Sequence, residues 1–292
     1  MAMTTSKRNA ISSYQVRKSS KALNVIIWVF LALWALLNLF PLYWMFTFSL
    51  KDNDQILRSN RFGLPREWFW SNYQKAMKAG NILNYFKNSI IITLVAIIIT
   101  IMAAMMASYA MTRIEWRGSS MMNKIFMLGI TIPIQASIIP VYLVLSKLEL
   151  LDSYVALIVP YSAFSLTMAI LICTGFMDQL PKDLDEAAYI DGCGRTRVFF
   201  SVIVPLMKPA VATTSIYTFL QCWNELMFAQ TFNTKKEIMT LPAGIQQLTG
   251  SYTVEWGPIG AALTIATFPT IFVYILLSRR IQESFIAGAI KG

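Results

Sequence analysis

Glu186-Ala-Ala-Tyr-Ile-Asp-Gly192 begins the stretch EAAYIDGCGRTRVFFSVIVPLMKPA, which runs to Ala210. This stretch gathers polar, charged and helix-breaking residues between two long apolar runs. Much of the remaining chain is apolar enough to lie in lipid. The sequence therefore predicts a membrane-embedded chain that holds one structured segment in water.

The composition is that of a membrane protein. Hydrophobic residues make up 56% of the 292 positions and charged residues 14%, whereas soluble domains have about 25% charged residues. The basic residues behind the net charge of +10 are scattered beside apolar runs. This pattern fits anionic lipid headgroups and argues against a nucleic-acid partner.

Two kinds of chemistry are disfavoured by residue content. The chain has no histidine, which excludes histidine-based catalysis and histidine-ligated metals. The cysteines are Cys173, Cys193 and Cys222. Their number is odd and none has C-x-x-C spacing, so we expect neither a disulfide framework nor a metal site.

Six stretches have the roughly 20 mostly apolar residues that a spanning helix needs. We therefore predict an all-α integral membrane protein with six transmembrane helices. Their ranges are 22–50, 85–112, 122–146, 153–177, 209–232 and 258–278. Residues 1–21 then form an N-terminal arm, residues 178–208 a two-helix loop between the fourth and fifth helices, and residues 279–292 a tail.

Basic residues predict the orientation. Fifteen of the 25 Lys and Arg residues lie in segments 1–21, 113–124, 178–208 and 279–292. Because Lys and Arg accumulate in cytoplasmic loops, both termini and the 178–208 loop are expected in the cytoplasm. The bias is modest, since loop 51–84 on the other side also carries six basic residues.

The first half of the 178–208 loop predicts a short helix. Asp183 as N-cap and Glu186 at the third helical position resemble a capping box. Leu184, Ala187 and Ala188 have the spacing of one helix side. The two alanines would make that side flat, so that another surface can approach closely.

The second half predicts a turn and another helix. Gly192 and Gly194 permit a sharp turn or a left-handed helix end, Thr196 can cap the next helix, and Pro205 bends or ends it. An apolar stripe for packing on the bundle comprises Val198, Phe199, Val202, Ile203 and Leu206. Two interpretations stay open from the residues alone. The loop is either an interfacial connector or a docking element for a cytoplasmic partner, and the flat face favours docking.

A family resemblance narrows this choice. Glu186-Ala187-Ala188, then Asp191-Gly192, then Phe199, Ile203, Pro205 and Pro209 resemble the EAA loop of ATP-binding cassette (ABC) importer permeases. Tyr85-Phe86-Lys87-Asn88-Ser89, Trp223-Asn224-Glu225 and the terminal Gly288-Ala289-Ile290-Lys291-Gly292 extend the likeness to carbohydrate-uptake members, specifically the smaller maltose-type permease subunit. The resemblance covers residues 22–292, and Cys193 departs from the alanine usual in the family.

The resemblance implies partners and a location. A second homologous permease would pair with this chain, two ABC ATPase subunits would dock from the cytoplasm, and an extracellular or periplasmic solute-binding protein would deliver a sugar. The setting implied is the bacterial or archaeal cytoplasmic membrane. No cofactor is expected on this chain. ATP and Mg²⁺ are expected in the ATPase subunits, since the sequence lacks a G-x-x-x-x-G-K-[ST] motif.

The resemblance also implies residue roles. Glu186 would pair with a basic ATPase residue, Ala187 and Ala188 would form the contact face, and Asp191 and Gly192 would shape the helix end. Phe199, Ile203 and Pro205 would fix the loop to the bundle. The tail, with Lys291 and Gly292, would reach the ATPase interface; a disordered end is the alternative.

Gln221, Asn224 and Glu225 are the candidate substrate path. Their spacing places them on one helix face, and polar residues at membrane depth face a cavity or a partner. Hydrogen bonding between subunits is the alternative role.

A proton-coupled transporter using Glu225 is a competing function. It is disfavoured because the sequence has few intramembrane carboxylates and no repeated halves. A membrane-embedded enzyme is disfavoured by the lack of histidine and of clustered carboxylates.

Overall fold

The computed structural model describes residues 21–250 and 254–289, and these ranges contain helices and loops but no strand. Most of the predicted N-terminal arm lies outside the described residues, as do the predicted tail residues Lys291 and Gly292. The helices are α1 Lys21–Ser49, α2 Ser71–Lys78, α3 Ile82–Thr112, α4 Ser119–Gly129, α5 Ile138–Lys147, α6 Val155–Met177, α7 Asp183–Ile190, α8 Arg195–Val198, α9 Val204–Leu206, α10 Lys208–Trp223, α11 Met227–Phe232, α12 Leu241–Leu248 and α13 Trp256–Ala289. Two π-helical turns, Gln55–Ser59 and Phe199–Ile203, and one 3₁₀ turn, Ile134–Ser137, interrupt the series.

The described chain is an all-helical membrane protein. Four helical segments are long and apolar enough to cross a bilayer: Leu23–Ser49, Ile82–Thr112, Val155–Met177 and Trp256–Leu277. Two bent pairs meet the same requirement when each pair is taken together: Ser119–Gly129 with Ile134–Lys147, bent by 93°, and Arg195–Leu206 with Lys208–Trp223, bent by 74°. The number of candidate membrane helices is therefore four to six.

Two of the predicted spans are interrupted. The stretch 122–146 contains α4, the 3₁₀ turn and α5 instead of one helix, because Pro133 has an extended backbone (φ −66°, ψ 128°) and cannot continue α4. The stretch 209–232 is divided as well, since α10 ends at Trp223 and α11 begins only at Met227.

The most extensive helix contact is between α3 and α6. Four small residues at four-residue intervals on α3 are completely buried: Ala96, Thr100, Ala104 and Ser108. Small side chains let two backbones approach closely, which is how helices associate in lipid. The Ser108 hydroxyl then reaches across to the Ile170 carbonyl oxygen at 3.3 Å.

The bundle has two distinct ends. The last turns of α3 and α6, helices α7 to α9 and the first turn of α10 share one buried cluster, which includes Met177, Phe199 and Met207. We call this the loop end. The first turns of α3 and α13, the last turn of α10 and helix α12 share another cluster at the far end.

The close α3–α6 contact leads to a prediction about stability. Ala104→Leu inserts three carbons at a completely buried position and should destabilise the solubilised protein by about 1–3 kcal/mol. Met106→Leu is the matched control, because Met106 on the same helix is 50% exposed. Thermal unfolding in detergent compares the two. An Ala104→Leu protein as stable as the control would contradict the packing.

Candidate functional site

Helix α7 presents one face to the bundle and the opposite face outward. Asp185 and Ala188, three residues apart, are its buried residues. Glu186 and Ala187 are exposed, and Ile190 is 87% exposed. Glu186, Ala187 and Ile190 therefore form an exposed surface of α7 that another molecule can reach.

The prediction that Ala187 and Ala188 form one exposed face is wrong. Ala188 is only 7% exposed and belongs to the loop-end cluster. Successive residues of a helix are rotated by about 100° about its axis. The side of α7 opposite to the buried pair Asp185 and Ala188 therefore lies between Ala187 and Ile190. Ile190, which the sequence analysis did not select, therefore takes the place of Ala188 in the outward apolar surface.

The two predicted helix caps are also wrong. Helix α7 has Lys182 as its N-cap and no side-chain capping bond, so Asp183 is the first helical residue instead of the cap. Helix α8 begins at Arg195 after Gly194, which places Thr196 inside it. The first turn of α7 still concentrates three carboxylates, Asp183, Asp185 and Glu186, which interact favourably with the positive end of the helix dipole.

Gly192 ends α7 as predicted. Its φ of +78° lies in the left-handed region. Its N–H donates to the Tyr189 carbonyl, and the Cys193 N–H donates to the Ala188 carbonyl, both at 3.0 Å. This pair of bonds is a Schellman motif. Cys193 packs against the cluster that contains Ala188, which is the apolar contact that accompanies such a motif, and a small side chain suffices for it.

The second half of the loop is its anchor. Val198 and Ile203 are completely buried, and the Phe199 ring packs against Tyr109 of α3 with centroids 5.1 Å apart. The predicted stripe is correct up to this point. Its last member is wrong, because Leu206 is 45% exposed and Met207 is 1% exposed.

The π-helical turn Phe199–Ile203 explains this one-residue shift. A π turn takes about one residue more than an α turn, so the buried position after Ile203 moves from Leu206 to Met207. Pro205 is exposed and does not pack in the core. It is the second residue of α9, the short helix that precedes the 74° bend into α10.

Arg113 holds the loop to the ends of two long helices, and the sequence analysis had counted it only as a positive charge. It follows the last residue of α3. Its guanidinium donates to Asp185 Oδ2 at 2.9 Å and to the carbonyl oxygens of Met177 and Leu180 at 2.7 Å each. A lone arginine directly after an apolar run, with an aspartate in a loop on the same side, is the sequence signal that identifies such a pair.

Glu186 stands beside an open cavity at the loop end. The cavity measures about 660 Å³, and its lining includes Glu186, Lys182, Tyr189 and Arg195. Within the described part of the chain, the Glu186 carboxylate makes no ion pair or hydrogen bond. An exposed, unpaired carboxylate beside exposed apolar groups is suited to a basic residue of a partner.

Gln221, Asn224 and Glu225 do lie together. All three line a cavity of about 310 Å³, whose wall also includes Tyr161 and Ser165. Gln221 and Asn224 are exposed. The prediction of one continuous helix face is wrong in detail, because α10 ends at Trp223 and the last two residues belong to the break before α11.

Glu225 is a helix cap inside the membrane region. Its carboxylate accepts hydrogen bonds from the backbone N–H groups of Phe228 at 2.8 Å and Ala229 at 3.1 Å. The Tyr161 hydroxyl donates to it at 2.7 Å. The carboxylate is thus the acceptor for first-turn N–H groups of α11 that lipid cannot satisfy. Glu225 thus has a structural task that explains its presence at this depth.

Asn224 also borders a second cavity, of about 420 Å³, on the other side of the break. Its polar lining includes Gln246 of α12 and Thr267 of α13. Trp223 contributes an aromatic wall and donates through its indole N–H to the Ala266 carbonyl at 3.0 Å. The spacing of residues in the sequence could not predict that α12 and α13 line this cavity, because their position depends on the tertiary fold.

At the far end, short polar side chains hold the segment between α11 and α12. Asn88 donates to the carbonyl oxygens of Glu237 and Met239 at 2.9 Å, and the Ser89 hydroxyl accepts from the Leu241 N–H at 2.7 Å.

The Asp152 carboxylate accepts hydrogen bonds from the backbone N–H groups of Thr234 and Lys235. Burial alone would raise the pKa of Asp152, but these hydrogen bonds outweigh burial and lower that pKa.

Comparison with known proteins identifies the class. Residues 99–286 match the family described as binding-protein-dependent transport system inner membrane component. The fold is similar to a chain of a bacterial ABC transporter involved in the import of the acidic polysaccharide alginate, with a TM-score of 0.79 and 21% identity over 90% of this chain and 98% of that one. This protein is therefore a transport component with the fold of an ABC importer subunit.

Relatives narrow the class further. The chain is 33% identical to the probable ABC transporter permease protein YurM of Bacillus subtilis, over 91% of this chain and 88% of the relative. It is 34% identical to the trehalose/maltose transport system permease protein MalG of Thermococcus litoralis, over 89% and 94%. It is 32% identical to the diacetylchitobiose uptake system permease protein NgcG of Streptomyces coelicolor, over 89% and 87%. The chain belongs to the family of binding-protein-dependent inner membrane transport components.

The two glycines after α7 give a controlled test of the helix end. A Cβ at Gly192 or at Gly194 would meet nothing within 4 Å, so only the backbone conformation differs. Gly192→Ala should cost about 1 kcal/mol because of the positive φ, and Gly194→Ala, at φ −75°, should cost almost nothing. Hydrogen exchange of the α7 amides measures both. Equal exchange in the two variants would contradict the Schellman assignment.

The cap at Glu225 can be tested by stability. Glu225→Ala leaves two backbone N–H groups and the Tyr161 hydroxyl without their acceptor, at about 1–3 kcal/mol for each group that stays buried and unpaired. We expect a clearly lower melting temperature in detergent. Gln230→Ala, at an exposed position of α11, is the control. Equal melting temperatures for the two variants would show that the carboxylate does not cap α11.

Proposed function

We propose that this chain is a permease subunit of a binding-protein-dependent, ATP-driven importer of a sugar or oligosaccharide. The observation that carries the proposal is the outward face of α7, in a chain that belongs to this family. On that face Glu186 has no ion-pair partner among the described residues, and Ile190 is 87% exposed. Relatives named for trehalose/maltose and for diacetylchitobiose support a carbohydrate as the transported solute.

In this function α7 is a coupling helix. Glu186 pairs with a basic residue of a cytoplasmic ATPase, and Ala187 and Ile190 fill an apolar cleft beside it. Asp191 and Gly192 shape the end of the helix. Phe199 and Ile203 fix the loop to α3 and α6. ATP-driven closure of the ATPase pair moves α7 and thereby opens the bundle to the outside.

The proposed assembly follows from this role. One homologous permease completes the path, two ATPase subunits bind ATP and Mg²⁺, and a solute-binding protein delivers the sugar at the far end. The two bent helix pairs each count as one crossing, which gives six spans. Both termini and the loop end then face the cytoplasm, in keeping with the basic residues there. The tail, with Lys291 and Gly292, reaches the ATPase interface.

The sugar path is proposed to run along the break after α10. Gln221 and Asn224 are exposed amides on the wall of the 310 Å³ cavity and are suited to sugar hydroxyls. Glu225 borders the path but is committed to capping α11. For the same reason, proton-coupled transport through Glu225 is not favoured.

Truncation of Glu186 tests the coupling surface. Glu186→Ala should reduce ATP-dependent uptake at least about tenfold, because removing one partner of an interface charge pair costs about 2 kcal/mol or more. Insertion in the membrane should be unchanged, since the side chain is exposed and makes no hydrogen bond or ion pair with a described residue. The measurements are sugar uptake in proteoliposomes and copurification of the ATPase.

Glu149→Ala is the control, because Glu149 is an exposed carboxylate in the loop between α5 and α6. Wild-type uptake by Glu186→Ala would contradict the assignment of the coupling surface. The same holds for a well-expressed Gly192→Pro variant, which cannot adopt the native φ. Transport by this chain alone, without ATP, would refute the proposed function as a whole.

A further inference from the structure

We infer that Arg113 and Asp185 form the joint through which a movement of α7 reaches the ends of α3 and α6. Both are positioning residues. They line the cavity beside Glu186, but their charged groups bind each other and the end of α6, and neither lines the proposed sugar path. The inference rests on the proposed function, because a joint matters only if a partner moves α7. Arg113 and Asp185 both lie outside the motif that begins at Glu186.

The geometry of the guanidinium supports this role. Arg113 follows α3 directly, so its backbone moves with that helix. One terminal nitrogen donates to Asp185 of α7 at 2.9 Å. The other donates to the Met177 and Leu180 carbonyls at 2.7 Å each, and these carbonyls belong to the end of α6 and to the residues just after it. One planar group thus connects three segments.

Burial makes this connection stiff. The side chains of Arg113 and Asp185 are 4% and 10% exposed, whereas those of the surface pair Lys75 and Glu255 are 51% and 56% exposed. A charge pair withdrawn from water cannot separate without leaving an uncompensated charge. The surface pair can exchange its partner for water. We therefore expect the buried pair to stay closed while α7 moves.

Among the described residues, Arg113 is the one hydrogen-bond and ion-pair partner of the Asp185 side chain. Its second oxygen, Oδ1, is buried and accepts no hydrogen bond within the described residues. In α7 itself only Asp185 and Ala188 are buried. The apolar anchor of Phe199, Ile203 and Met207 lies in the second half of the loop, so the pair of Arg113 and Asp185 is a buried ionic tie between α7 and the long helices.

Arginine is required at this position on chemical grounds. A guanidinium is a rigid planar fork with five N–H donors and can serve a carboxylate and two carbonyls at once. A lysine ammonium is a point charge with three donors on a flexible stem. Arg113→Lys keeps the charge but loses the fixed geometry, so it separates the effect of charge from the effect of the joint.

The test uses the complete complex with ATPase, second permease and binding protein. The variants are Arg113→Lys, Arg113→Gln, Asp185→Asn and the double variant Arg113→Gln/Asp185→Asn. Sugar imported per ATP hydrolysed should fall about tenfold in each single variant, within the range usual for coupling between sites. The double variant should be no worse than the worse single one, because either change alone opens the joint.

Copurification of the ATPase separates this effect from loss of docking. It should be retained in these variants and lost in Glu186→Ala. Arg117→Gln is the matched control, since Arg117 is an exposed arginine of the same short loop and should keep wild-type uptake per ATP. If Arg113→Gln does not insert, Asp185→Asn, which keeps the side-chain shape, carries the same measurement.

Two results would overturn the inference. If the variant complexes are fewer but each imports as much sugar per ATP as the wild type, the pair only stabilises the fold. If the losses of Arg113→Gln and Asp185→Asn multiply in the double variant, the two residues act independently. A wild-type complex without ATP-driven uptake refutes the proposed function first and the joint with it, so the two failures are distinguishable.

Discussion

Backbone groups that lipid cannot satisfy govern this structure. A continuous membrane helix pairs its own N–H and C=O groups, but each interruption leaves several of them without partners. The chain is interrupted repeatedly, and polar side chains supply the missing bonds. Glu225 accepts from the first turn of α11, Arg113 donates to the carbonyls at the end of α6, and Asn88 donates to carbonyls before α12.

This constraint places the charged residues of the bundle and explains why so few are needed. Glu225 looked like a functional group because a carboxylate at membrane depth is costly. Its three hydrogen bonds give it a structural purpose instead. The same reasoning separates two aspartates in the first turn of α7. Asp185 is buried against an arginine, whereas Asp183, two residues earlier, is exposed.

The sequence was informative wherever one local property decided the outcome. Length and apolarity located α1, α3 and α6 to within a few residues, and glycine chemistry predicted the left-handed end of α7 at Gly192. The errors arose where the outcome depended on neighbours distant in sequence. The π-helical turn, after which Met207 is buried instead of Leu206, has no local signature in the sequence. The burial of Ala188 depends on which side of α7 faces the bundle. Arg113 was visible as a charge, but its partners come from two other segments, α7 and the end of α6 with the residues just after it.

The distribution of the three cysteines has a practical consequence. Cys173 and Cys222 are buried in the bundle, and Cys193 is partly accessible at the position directly after Gly192. The native chain therefore carries one partly accessible thiol in the loop that follows α7 and two buried thiols in the bundle. The rate at which Cys193 is alkylated therefore measures how accessible this loop is in the unmodified protein. A fluorophore or spin label attached to Cys193 would report the position of the loop without any engineered cysteine.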